Sequence, residues 1–284
     1  MSEPMILRAR AAAPLKEVHQ ALTDPARLRI WLAEHAEVDL PHRYEFWGRY
    51  TPEGDAPHQR LLHIDERTLR FAWLLDGEET TTEIALAPEG DDATTITLSQ
   101  THFDFQDVVT GASIRGVLQT YWCLSIANLV DHLEGRPLTP KTDFTSPRLG
   151  AQIIVDAPVE VLYDALTDSH KASEWFGYPI GIEPYKGGRF AMGGFDNPDP
   201  AKILDVEPGR GMSIDWGAVG VTTWELAESG GKTRLTFVQS GFDEQNPPYP
   251  AWAGWLSGLA ELRRYTELAD WRPIWIPAEV PSAG

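Results

Sequence analysis

Few side chains in this sequence stand at spacings that catalysis or metal binding requires. The eight histidines, at 19, 35, 42, 58, 63, 102, 132 and 170, form no His-Glu-x-x-His pattern and no paired spacing with carboxylates. His42, His58 and His63 could converge across neighbouring strands, but no metal site is expected. Cys123 is alone, which excludes an intramolecular disulfide and a multi-cysteine metal centre. It lies in a helical stretch with no histidine at helical spacing on its face, and no Gly-x-Ser-x-Gly occurs, so nucleophilic catalysis has no support. Ser229-Gly230-Gly231-Lys232-Thr233 resembles the end of a phosphate-binding loop. Leu226 stands where the first glycine belongs, however, and a strand follows instead of a helix; the segment reads as a hairpin turn. What remains is a small polar set. Alternation along 93–101 puts Ile96, Leu98, Gln100 and His102 on one inward face, and along 233–240 it does the same for Leu235, Phe237 and Gln239. Such amides and an imidazole could orient a polar group on a ligand or act as acid and base. Asp104 and Asp243 are expected to cap turns.

The elements that would hold these residues occur twice. Ala13–Trp31, APLKEVHQALTDPARLRIW, and Ala157–Trp175, APVEVLYDALTDSHKASEW, align without a gap and share Ala-Pro, Ala-Leu-Thr-Asp and the closing tryptophan. A period of 144 residues is that of a duplicated domain, not of a solenoid. Each copy begins with a short apolar strand, a helix behind Ala-Pro, and a second short helix capped by Asp24 or Asp168. Strand alternation then follows at 43–50, 60–64, 68–75, 80–86 and 93–101, and again at 201–206, 212–216, 221–227 and 233–240. Ile114, Leu118, Trp122, Ile126, Leu129 and Leu133 predict a long amphipathic helix; Trp252, Trp255, Leu256, Leu259 and Leu262 predict another from about Ala251. The proline-rich stretch between Gly135 and Gly150 reads as a linker.

The chain of 284 residues carries a net charge of −18, with both halves acidic, which opposes binding to nucleic acid or to anionic membranes. Its N-terminus has no signal-like apolar run, and no segment reaches the roughly 20 apolar residues of a membrane span. A cytoplasmic protein is expected. Eleven tryptophans exceed the needs of an ordinary core and suit pocket walls.

Ala-Pro, Ala-Leu-Thr-Asp, the tryptophan, Gly187-Gly188-Arg189-Phe190, and Thr233-Arg234-Leu235-Thr236 ahead of Gly241-Phe242 together resemble the C-terminal domain of heat-shock protein 90 ATPase activators and their bacterial homologues. These form a branch of the START/polyketide cyclase/Bet v 1-like superfamily. The first copy departs from the motif, with Leu40-Pro41-His42 in place of the Gly-Gly. The resemblance implies an α+β chain of two helix-grip domains, each a curved antiparallel sheet wrapped on a long C-terminal helix, with two short helices after the first strand. The expected divisions are 1–136, a linker at 137–149, 150–276, and a disordered tail at 277–284. The resemblance further implies a cavity between sheet and helix for an apolar ligand. Its expected walls are Phe71, Trp73, Leu98, Gln100, His102 and Trp122 in the first copy, and Phe190, Trp216, Trp224, Phe237, Gln239 and Trp255 in the second. The expected function is non-enzymatic binding or sequestration of a hydrophobic or aromatic small molecule by a monomer or homodimer without metal or cofactor. A stress-related co-chaperone module and a cyclase or aromatase using Gln100, His102 and Gln239 are the alternatives.

Overall fold

The computed structural model describes residues 4–101 and 114–277. The chain forms two compact units: one runs up to Thr145 and includes a return segment from Ile274, and the other is Ser146–Pro273.

The repeated motif is explained by contacts that both units make. Strand β1 (Met5–Ala11) leads to helices α1 (Leu15–Thr23) and α2 (Pro25–Trp31). In the second unit β8 (Leu149–Val155) leads to α4 (Val159–Thr167) and α5 (Ser169–Phe176). Asp24 accepts from the amides of Ala26 and Arg27, and Asp168 from those of His170 and Lys171, so each aspartate satisfies free donors at a helix start. The tryptophan indoles reach back to the preceding helix. Trp31 Nε1 donates to the Ala21 carbonyl at 3.0 Å, and Trp175 Nε1 to that of Ala165 at 2.8 Å. The Ala13 and Ala157 carbonyls accept from Thr94 and Thr233. Four of the identities between the copies, at Ala13, Ala21, Asp24 and Trp31, thus take part in the bonds that tie helix pair and sheet together.

In the first unit β2 (His35–Asp39) and β3 (Arg43–Trp47) form a hairpin, and β4 (Gln59–Ile64), β5 (Thr68–Leu75), β6 (Glu78–Pro88) and β7 (Thr94–Gln100) build an antiparallel sheet ordered β1-β7-β6-β5-β4. A 3₁₀ turn at Ile114–Val117 enters α3 (Leu118–Leu133). In the second unit β9 (Ile180–Ile182), β10 (Arg189–Met192), β11 (Ala201–Glu207), β12 (Gly211–Asp215), β13 (Val221–Ser229) and β14 (Lys232–Ser240) join β8 in one seven-stranded sheet, before α6 (Tyr249–Glu267). Near its C-terminal end each long helix is tied to the first strand's exit: Glu134 accepts from the Ala12 amide and Glu267 from the Asp156 amide.

Several expectations need correction. The strand predicted over 43–50 stops at Trp47, because Gly48 turns at φ 105°, where a Cβ would strike Glu34. Strand β2 was hidden in a polar segment whose alternation is weak. Trp216 lies just past β12. The expected linker at 137–149 is mostly docked on the first unit. Asn128 of α3 brackets the Thr139 backbone at 2.9 and 3.0 Å, and Lys141 Nζ donates to the carbonyls of Arg29, Ile30 and Ala33 at the end of α2. The expected second domain also ends early. Ile274 accepts from the Arg10 amide, and Ile276 donates to the Arg8 carbonyl, so this segment pairs with the free edge of β1 and buries Ile274. Nearly all of the expected tail lies outside the described residues, as do His102 and Asp104.

Ending the chain after Pro273 removes the buried Ile274 side chain and two ladder bonds from the first unit. The expected loss is about 2–3 kcal/mol, seen by calorimetry as a lowered transition for the first unit with the second unchanged.

Candidate functional site

The inner ends of the two sheets can be superposed residue by residue through their registers. Thr82 faces Gln100 across β6 and β7, and Thr222 faces Gln239 across β13 and β14. Phe71 pairs with Thr82, and Ile214 with Thr222, which makes Trp73 and Trp216 equivalent. On the long helices Trp122 and Trp255 stand at the same distance before the clamping glutamates, and so correspond.

The first copy fills this frame, with a polar exception: the buried Trp73 Nε1 has no acceptor among the described residues. Gln100 Oε1 accepts from Thr82 Oγ1 at 2.6 Å and from Trp122 Nε1 at 3.2 Å, and all three residues are buried. Trp73 touches Trp122 edge to face, with ring centroids 6.0 Å apart, and lies 5.3 Å from Phe46 and 5.7 Å from Tyr121. Phe71 continues the cluster to Tyr44 and Phe46, and Leu98 is fully shielded opposite Ile84. Phe71, Trp73 and Trp122 of the expected set are thus joined through ring contacts, with Gln100 bonded to Trp122 and Leu98 buried beside Ile84. Burial raises the phenols of Tyr44 and Tyr121 well above the usual tyrosine range.

The second copy is looser. Leu166, Ala172, Trp175, Ile180, Phe190, Ile214, Thr222, Trp224, Leu235, Phe237, Trp255 and Leu259 enclose a cavity of about 20 Å³ between α6 and the sheet. That is room for about one water molecule, and beside the indole N–H groups Thr222 carries the one hydroxyl in the lining. The counterparts of the two fully buried indoles of the first copy, Trp216 and Trp255, are only half-buried. They meet one another at a tilt, with ring centroids 5.4 Å apart, and each meets Phe190 edge to face. Trp216 Nε1 donates to Thr222 Oγ1 at 2.8 Å. Gln239 is buried and donates through Nε2 to the Val219 carbonyl at 2.9 Å, but among the described residues nothing donates to its Oε1. Trp175, Thr222 and Leu235 belong to this lining although they stood outside the expected set. The register partner of Gln239 and the inward alternation of Leu235 were the signals for two of them.

A larger groove of about 550 Å³ crosses β11, β12 and β13, but Asp205, Glu207, Glu225 and Glu228 on its walls suit no apolar molecule. Among the described residues no group of histidine, cysteine and carboxylate side chains could hold a metal, and no helix is long and apolar enough to cross a membrane.

The model of the activator of Hsp90 ATPase homolog 1-like protein family matches residues 12–134 and again 156–267. The chain belongs to this family. As a tandem activator-homologue chain it has similar solved structures. CalU16 from Micromonospora echinospora is 27% identical over 47% of this chain and 76% of its own, with a TM-score of 0.37. DynU16, from the dynemicin biosynthetic locus, is 18% identical over 92% and 98%, at 0.39. BexL, a di-domain ARO/CYC from the BE-7585A biosynthetic pathway, is 16% identical over 96% and 100%, at 0.37. No curated protein matches the activator-homologue chain.

The two glutamines should respond differently to the same change. Gln100→Leu strands the Trp122 and Thr82 donors in the first core and is expected to cost about 2–4 kcal/mol, whereas Gln239→Leu loses one bond to a partly exposed carbonyl and costs about 1 kcal/mol or less. Urea unfolding of the two variants checks the contrast. Tyr44 and Tyr121 are neutral, and their contribution is intact, below about pH 10, the value of a free tyrosine. Above it the unfolded chain ionises first, so stability falls as pH rises. Phenolate absorbance from these two is expected only together with unfolding, and Tyr121→Phe should flatten the alkaline slope.

Proposed function

We propose that the protein binds a hydrophobic, planar small molecule without transforming it, in the second helix-grip domain, while the first is a filled structural copy. The observation that supports this reading is the apolar cavity under α6, next to two indoles that are buried in the first copy and half-exposed in the second. Apart from the Thr222 hydroxyl and the indole N–H groups, the lining is built from aliphatic side chains and aromatic faces, so an apolar body is preferred over water. Trp216, packed against Trp255 of the cavity wall, sits where the cavity can widen, since a half-buried ring turns outward at less cost than a fully packed one. The polar groups beside it, Thr222 and Gln239, do not titrate near neutrality, which favours binding over acid and base chemistry. Sequestration of a toxic apolar compound is the corresponding cellular role.

Titrating naphthalene and longer conjugated hydrocarbons into the protein is expected to quench tryptophan fluorescence. Leu235→Phe, which fills the cavity, should weaken binding at least tenfold while costing about 1–3 kcal/mol of stability. Absence of quenching together with absence of a thermal shift would sink the proposal.

The family match in both halves favours a second reading, a partner module for the bacterial Hsp90 homologue. It predicts retention of the protein by that chaperone in a pull-down and a raised ATPase rate; failure of both dismisses it.

A further inference from the structure

The Thr–Gln pair that ends each inner face is consumed in one copy and idle in the other. Gln100 Oε1 has two donors, Thr82 and Trp122, at 2.6 and 3.2 Å. In the second copy Trp216 has taken the Thr222 oxygen at 2.8 Å, and Gln239 Oε1 has no donor although the residue is 2% exposed. The amide's orientation is fixed, because its other atom meets the Val219 carbonyl at 2.9 Å and only an N–H can do so. Trp255, the counterpart of Trp122, carries an indole N–H with no protein acceptor among the described residues, and it lines the cavity. Thr222 and Phe237 also line it. Gln239 faces Thr222 and lies two residues beyond Phe237 on the same face, roughly 7 Å along the strand. A buried acceptor without a donor among the described residues thus lies just beyond the lining of the apolar chamber, and an unused indole N–H stands on its wall.

We propose that Gln239 and Trp255 recognise a hydroxyl on the bound molecule. The ligand O–H donates to Gln239 Oε1, its oxygen accepts from Trp255 Nε1, and its planar apolar body occupies the cavity. A hydroxyl does both at once. An ether or ketone can only accept and leaves the glutamine oxygen unpaired, a hydrocarbon leaves both groups unpaired, and a carboxylate would set a negative charge against that oxygen in an apolar enclosure. The ligand class is therefore a phenol, an enol or a conjugated alcohol. This inference rests on the second domain being the binding site.

Three probes of one shape separate the two ideas: 2-naphthol, 2-methoxynaphthalene and naphthalene, titrated by calorimetry at pH 7 into the full chain. The expected result is 2-naphthol bound tenfold or more tightly than the other two. Gln239→Leu should bring all three within about threefold of one another, while Gln100→Leu leaves the preference in place. Equal binding of the three by the natural protein overturns hydroxyl recognition and leaves the cavity as a site; binding of none overturns both. Should Gln239→Leu lose its near-ultraviolet dichroism, Trp255→Phe keeps a ring and removes the N–H. It is expected to weaken 2-naphthol about threefold or more with naphthalene unchanged, and an unaltered 2-naphthol affinity there overturns the inference.

Discussion

An antiparallel sheet with one apolar face folds only when something covers that face, and in each half of this chain one helix does so. The geometry of everything else follows from tying that helix in place. Its C-terminal glutamate, Glu134 or Glu267, takes the backbone amide just beyond the first strand. The Ala-Pro step that follows launches the helix pair, and the tryptophan closing the pair bonds back across it. With these joints made, the interior is a fixed volume between curved sheet and helix. What fills it is decided by a handful of side chains.

Those side chains have diverged while the frame has stayed. In the first copy, Phe46, Phe71, Trp73, Tyr121 and Trp122 meet at ring-contact distances and Gln100 Oε1 is satisfied by Thr82 and Trp122. In the second, Ile214 stands in place of Phe71, Trp224 in place of Ile84, and the glutamine has lost its indole. Duplication permits this. One copy can be consolidated into a solid core, and the other can keep a poorly filled interior whose missing contacts only a guest would restore.

Much of the frame was legible in the sequence because strand and helix periods are local signals. The identities at Ala13/Ala157 and Asp24/Asp168 carried the duplication, and the alternation through Leu98-Ser99-Gln100 put the right amide inside. The sheet's division in the first unit was not legible, since β2 is short and polar and its end depends on how Gly48 turns. Neither was the difference between Trp122 and Trp255. Both are aromatic residues at the same helical position, and only the three-dimensional neighbourhood shows that one spends its N–H on a glutamine and the other does not. The return of Ile274–Ile276 to β1 was equally invisible, being a pairing between segments more than 260 residues apart in the sequence.

That late pairing bears on biosynthesis. The first unit cannot finish its own sheet until residues 274–276 have been translated, so the open edge of β1 waits through the making of the second unit. Such an exposed strand is what neighbouring nascent chains would pair with by mistake. Residues 274–276 act as a late seal on β1.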